Sequence, residues 1–120
     1  EKVPHAWKAG NQTTLLRRQL EALPDGGVYL LSIPKSPYRC PPGPYERVSL
    51  IASYFKRHKP KSKILVLDAN PEIVSKKGLF TKAWAELYPG MIDYQPNSAV
   101  TQVDVAARSV RTDFDTFQAD

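Results

Sequence analysis

The single cysteine of the chain, Cys40, lies in the run Ile33-Pro34-Lys35-Ser36-Pro37-Tyr38-Arg39-Cys40-Pro41-Pro42-Gly43-Pro44-Tyr45-Glu46-Arg47, between a strand-like apolar segment and a helix-like periodic one. In open parallel sheets, ligands gather beyond the carboxyl ends of strands, where the next helix offers free N–H groups and the positive end of its dipole. A thiol there is favoured as thiolate, and Arg39 and Arg47, close in sequence, act in the same direction. The same residue also suits an inert, buried thiol serving as a small apolar group. Glu46, on the first turn of the following helix, is a candidate acid or base beside the sulfur if it is buried, and equally a charge complementing the helix N-terminus. Tyr38 and Tyr45 have rings that could wall a planar ligand, or pack the loop and core.

Two familiar chemistries do not match this loop. A dinucleotide site wants G-x-G-x-x-G directly after the strand, so that glycines let a pyrophosphate approach the backbone. Only Gly43 is present, and the prolines remove N–H groups that a phosphate needs. Asp68, at the end of the next strand, stands where an acidic residue would hold a ribose, or is an ordinary strand-end aspartate. Cysteine-dependent phosphatases place an arginine at the far side of a short cradle of N–H groups. The equivalent position here is Glu46, Arg47 lies one residue too far, and a carboxylate would repel the substrate. A rigid, proline-bounded loop holding one sulfur in place suits redox sulfur chemistry better.

The elements that must position the loop are legible on both sides. Thr13 to Leu23 places Leu15, Leu16, Leu20 and Leu23 at helical spacing, and Pro24-Asp25-Gly26-Gly27 ends the pattern. Val28 to Ile33 reads as a strand buried on both faces. From Tyr45 to His58, Val48, Ile51, Ala52 and Phe55 mark a second helix, with Pro44 at its first turn, where a missing N–H costs nothing, and Pro60 beyond its end. Lys63 to Asp68 is a second buried strand, so strand, helix and strand form a right-handed βαβ unit. Phe80 to Tyr88 predicts a shorter helix with Phe80, Ala83, Trp84 and Leu87 on one face. The alternation in Met91–Gln95, Ala99–Asp104, Ser109–Thr112 and Thr116–Phe117 predicts an antiparallel meander. The predicted fold class is α/β, a Rossmann-like three-layer βαβ domain with a C-terminal antiparallel meander.

Composition narrows the function classes. With 120 residues and an apolar share of 42%, one domain with one core is expected. No stretch approaches the roughly 18 apolar residues of a membrane span. The N-terminus lacks a signal peptide's apolar centre, and one cysteine cannot form an internal disulfide. The net charge of +5 invites a nucleic-acid reading, but the basic residues are dispersed. Their one dense run, Lys56-Arg57-His58-Lys59-Pro60-Lys61-Ser62-Lys63, falls at a predicted helix end, where the dipole favours cations. No aromatic recognition motif accompanies it, which argues against nucleic acid and leaves an acidic protein as the alternative partner. The absence of a closing element at either end suggests a piece of a longer protein.

Three segments carry a family resemblance: Pro4-His5-Ala6-Trp7-Lys8-Ala9-Gly10, Pro37 through Arg47, and His58-Lys59-Pro60-Lys61-Ser62-Lys63. Together they resemble the flavoprotein subunit of flavocytochrome c sulfide dehydrogenase, with the likeness running to Phe117-Gln118-Ala119-Asp120. The Cys40-Pro41-Pro42-Gly43-Pro44-Tyr45-Glu46 segment is its most specific part. Sulfide:quinone oxidoreductases share the plan but are less similar in these segments.

The resemblance implies that residues 1–120 are a single NAD(P)-binding-like domain of a larger FAD-dependent enzyme of the glutathione-reductase-like class. It implies that Cys40 is half of a redox-active disulfide beside the flavin, with a partner cysteine outside this chain. Sulfide would be oxidised through that disulfide and FAD, and electrons would pass to a c-type cytochrome subunit carrying haem c, in the periplasm. Glu46 would handle a proton near the sulfur, and Tyr38, Pro41 and Pro42 would border the flavin side of the loop. NAD binding is not expected, nor a metal site, and the isolated chain should be inactive. Two other readings stay open: a non-catalytic α/β interaction domain with a structural thiol, and a pyridine-nucleotide-dependent disulfide reductase domain.

Overall fold

The computed structural model describes residues 2–5 and 8–120, so the Ala6-Trp7 part of the N-terminal resemblance lies outside the described residues. The elements run α1 (Asn11–Ala22), β1 (Val28–Ile33), α2 (Gly43–His58), β2 (Lys63–Asp68), α3 (Lys77–Leu87), β3 (Ile92–Gln95), β4 (Gln102–Asp104), β5 (Ser109–Arg111) and β6 (Thr116–Gln118). Strands β1, β2 and β3 form one parallel sheet in that spatial order, and β4, β5 and β6 a separate antiparallel sheet. The chain is therefore α/β.

The segment ending at Gln95 departs from the predicted meander: β3 pairs parallel to β2, with Ile64 opposite Ile92 and Val66 opposite Tyr94. Alternation reports that one face of a strand is buried, not the direction of its neighbour. Direction is set by the preceding connection, and α3 carries the chain back over the sheet so that β3 enters in the sense of β2. The remaining three strands form the meander as expected.

Register puts Tyr29, Leu31 and Ile33 beside Ile64, Val66 and Asp68 on one face of the parallel sheet. Val48, Ile51, Ala52 and Phe55 of α2 and Phe80 and Trp84 of α3 pack into the same cluster. Two right-handed crossovers stepping in one direction must leave their helices on one side. The two crossover helices thus share one face of the sheet, while Leu65 and Leu67 are buried on the other. Each large side chain in this core contributes about 1.5–3 kcal/mol by burial.

Several predicted burials are weaker than expected for the same reason of position. Strand β1 ends the sheet order, so Val28, Tyr29 and Leu30 are half-buried and Ser32 is exposed, whereas the central β2 is buried from Ile64 to Asp68. Leu87, in the last turn of α3, is 50% exposed, and Ala83 is half-buried. The leucines of α1 are half-buried apart from Leu23, which follows the helix and joins the core.

The basic run that begins in the last turn of α2 has structural roles. Lys59 Nζ donates to the carbonyls of Leu20, Glu21 and Leu23, closing the C-terminal end of α1. Lys56 Nζ donates to Leu87 O at 3.1 Å, at the end of α3, and Lys63 Nζ to Gly90 O at 2.7 Å. The last carbonyls of a helix lack internal partners, and ammonium groups satisfy them while complementing the dipole. No helix among the described residues is long and apolar enough to cross a membrane.

Candidate functional site

The connection from β1 to α2 carries Cys40, and its shape follows from its residue types. Pro34, Pro37, Pro41, Pro42 and Pro44 fix φ along it and delete N–H groups. Cys40 has φ 57, in the left-handed region where a side chain with a Cβ costs roughly 1–2 kcal/mol. Its carbonyl accepts the N–H of Gly43 at 2.9 Å, which turns the chain into the helix, and Pro42 O accepts Glu46 N at 2.9 Å. The thiol is exposed. A Cβ built on Gly43 would lie 3.2 Å from Cys40 Sγ, so the sulfur rests against the first residue of α2.

Beneath the loop lies a polar node that the sequence did not reveal. Asp68, fully buried at the end of β2, accepts the hydroxyls of Tyr45 and Tyr94 on Oδ2, each at 2.7 Å. Its Oδ1 accepts Asn70 N at 2.9 Å and Asn70 Nδ2 at 2.8 Å. Four donors on two oxygens match an acceptor-only carboxylate, which makes its burial without a cation tolerable. Asn70, only 2% exposed, also donates from Nδ2 to Pro34 O at 3.0 Å and accepts Ser36 N on Oδ1 at 2.8 Å. On the other side, Tyr45 Oη accepts Val74 N at 3.2 Å, and the Tyr38 hydroxyl donates to Pro41 O at 3.1 Å.

These contacts shape the titration of the phenols. Burial, reinforced by the Asp68 carboxylate that accepts their protons, pushes Tyr45 and Tyr94 far above the usual phenol range. Burial also raises Tyr38, and it raises Tyr29, where Arg47 opposes the shift.

The sequence-predicted residues are distributed as follows. Asp68 is turned into the core and consumed by phenols and amide N–H groups, so it offers no oxygen to a ribose. Tyr45 is fully buried, which selects its core-packing reading over that of a ligand wall. Tyr38 is half-buried and packs on the core, while Pro41 is exposed and Pro42 half-buried. Glu46 is exposed in the first turn of α2, where its charge complements the helix end. Arg39 and Arg47 line, with Cys40, a groove of about 1500 Å³ that runs along β1 toward the antiparallel sheet.

Asn70 and the phenol pairing escaped the sequence reading. The one local signal was the Asp68-Ala69-Asn70 ending of the strand, since such residues bond backbone two positions away. Pro34, Pro37, Pro41, Pro42 and Pro44 remove N–H groups from the connection and the start of α2, and those of Ser36 and Gly43 are already bonded to Asn70 Oδ1 and Cys40 O, which leaves few donors for a pyrophosphate. No group of three or more potential metal ligands occurs among the described residues. Across residues 13–120 the chain matches the family described as sulfide dehydrogenase [flavocytochrome c] flavoprotein chain, central.

Proposed function

Because the chain belongs to the flavoprotein-chain family of flavocytochrome c sulfide dehydrogenase, as its central domain, we propose that Cys40 is one half of a redox-active disulfide through which the parent enzyme takes electrons from sulfide. The observation that carries this reading is the exposed sulfur, held in a left-handed backbone conformation at the start of α2 within the matched region. Hydrosulfide attacks one sulfur of the disulfide; a new S–S bond forms, the original one breaks, and a cysteine thiolate leaves. Over the cycle each HS⁻ becomes zero-valent sulfur with release of one proton and two electrons.

This chain's residues hold and surround that sulfur. Tyr38, Pro41 and Pro42 border the flavin side of the loop, whereas Glu46, exposed in the first turn of α2, does not meet the burial on which its acid–base reading depends and keeps its charge role at the helix end. FAD, when bound in the parent, supplies the two-electron acceptor, and haem c on a c-type cytochrome subunit the one-electron acceptors. The βαβαβ order of the parallel sheet supports a Rossmann-like, NAD-type domain of the glutathione-reductase-like class in which the nucleotide loop has become a sulfur-holding loop. We assign the enzyme to the periplasm.

Peptide mapping of the unreduced, full-length flavoprotein tests the disulfide. The proposal requires the Cys40 peptide to be cross-linked to a second, downstream cysteine. Recovery of Cys40 as a free thiol, alkylated without prior reduction, refutes it.

A further inference from the structure

We propose that Asp68 and Asn70 form the positioning device of the sulfur, anchoring both arms of the Cys40 loop to one buried carboxylate. The upstream arm is tied by Asn70, which bonds Pro34 O at 3.0 Å and Ser36 N at 2.8 Å while its own amide is held by Asp68 Oδ1 at 2.8 Å. The downstream arm is tied by Tyr45, in the first turn of α2, which donates to Asp68 Oδ2 at 2.7 Å, and the loop is braced across Cys40 by the Tyr38 hydroxyl, which donates to Pro41 O at 3.1 Å. Pro34 and Ser36 precede Cys40 and Pro41 follows it, so the residue in the left-handed conformation is gripped from both sides.

A carboxylate is suited to this role because it accepts from several donors at once, and its burial penalises any rearrangement that leaves one donor or oxygen unpaired. Asp68 is fully buried and Asn70 is 2% exposed, so neither can touch substrate; they act through the loop. Small displacements of a reacting group lose large factors in rate, which gives such a device functional weight. The inference rests on Cys40 being the working sulfur.

The test uses the full flavoprotein with its cytochrome subunit and compares Asn70→Ala, Asp68→Asn and Cys40→Ser with the unsubstituted protein. Phe55→Leu, a core change remote from the loop bonds, controls for general destabilisation. Two quantities are measured: the rate at which saturating sulfide bleaches the flavin, referenced to dithionite, and the rate at which iodoacetamide alkylates Cys40 after reduction. For Asn70→Ala and Asp68→Asn the sulfide rate is expected to fall about 10-fold or more. The dithionite rate and the KM for sulfide should stay within about twofold, and Cys40 alkylation should change at least threefold. Phe55→Leu should leave both rates unchanged while lowering Tm. Sulfide and alkylation rates in both loop variants within twofold of the unsubstituted protein would overturn the positioning role. Full sulfide bleaching in Cys40→Ser would instead overturn the reading of Cys40 itself, with the alkylation rates still deciding whether Asp68 and Asn70 fix the loop.

Discussion

Cys40 Sγ and Gly43 are in such close approach that a Cβ on the glycine would lie 3.2 Å from the sulfur and 3.7 Å from Cys40 Cβ. The glycine at the start of α2 therefore leaves space for the sulfur rather than serving a left-handed turn, since its φ is not positive. Gly43→Ala is expected to change stability by no more than about 1 kcal/mol, because an exposed thiol can rotate away and alanine favours the helix. Held in the proposed disulfide the sulfur cannot rotate, and sulfide turnover of the full flavoprotein should fall several-fold. Equal turnover in the variant would show that the sulfur does not occupy this position.

Cys40 itself occupies a backbone conformation in which glycine is favoured. Cys40→Gly should be more stable than Cys40→Ala by about 1 kcal/mol, read as the difference in urea midpoints at equal m-value. An alanine variant equal to or more stable than the glycine one contradicts the φ of 57.

The phenols set an alkaline limit. Tyr29, Tyr38, Tyr45 and Tyr94 all have folded pKa values raised above the ordinary 10.0, so the folded state holds protons that the unfolded state releases there. Their contribution to stability is complete below pH 10 and declines as pH rises above it, since the folded state then binds more protons than the unfolded one. Spectrophotometric titration should show Tyr45 and Tyr94 ionising only together with unfolding, detected by coincident loss of the far-UV helix signal. Their reversible ionisation in the intact fold contradicts the Asp68 network.

Much of this arrangement was legible from residue types, and what was not has an identifiable cause. Val28–Ile33 and Lys63–Asp68 announce themselves as strands, and the spacing of Val48, Ile51, Ala52 and Phe55 announces α2, because period and burial are local properties. Cys40 was correctly located between them. The direction of β3 was not readable, because Ile92-Asp93-Tyr94-Gln95 alternates whichever way its neighbour runs. Nor was the fate of Asp68: its partners Tyr45 and Tyr94 lie 23 and 26 residues away, and only the packed fold decides which phenol meets which oxygen.

The lysine run illustrates the same point from the surface. Lys59 satisfies three carbonyls at the end of α1, whereas Lys61 is exposed with no side-chain bond among those described. Lys59→Met should cost about 1–3 kcal/mol in chemical denaturation and loosen amide protection in α1, while Lys61→Met should stay within about 0.5 kcal/mol. Equal effects of the two substitutions would return the run to a solvated charge cluster.

The most direct test of the central claim is anaerobic mixing of sulfide with the intact flavoprotein–cytochrome complex, comparing unsubstituted protein with Cys40→Ser while flavin and haem absorbance are followed. The account predicts that sulfide bleaches the flavin and then reduces the haem in the unsubstituted complex. In Cys40→Ser both changes should be lost, although dithionite still reduces both groups. Sulfide-driven flavin reduction at an undiminished rate in Cys40→Ser would contradict it.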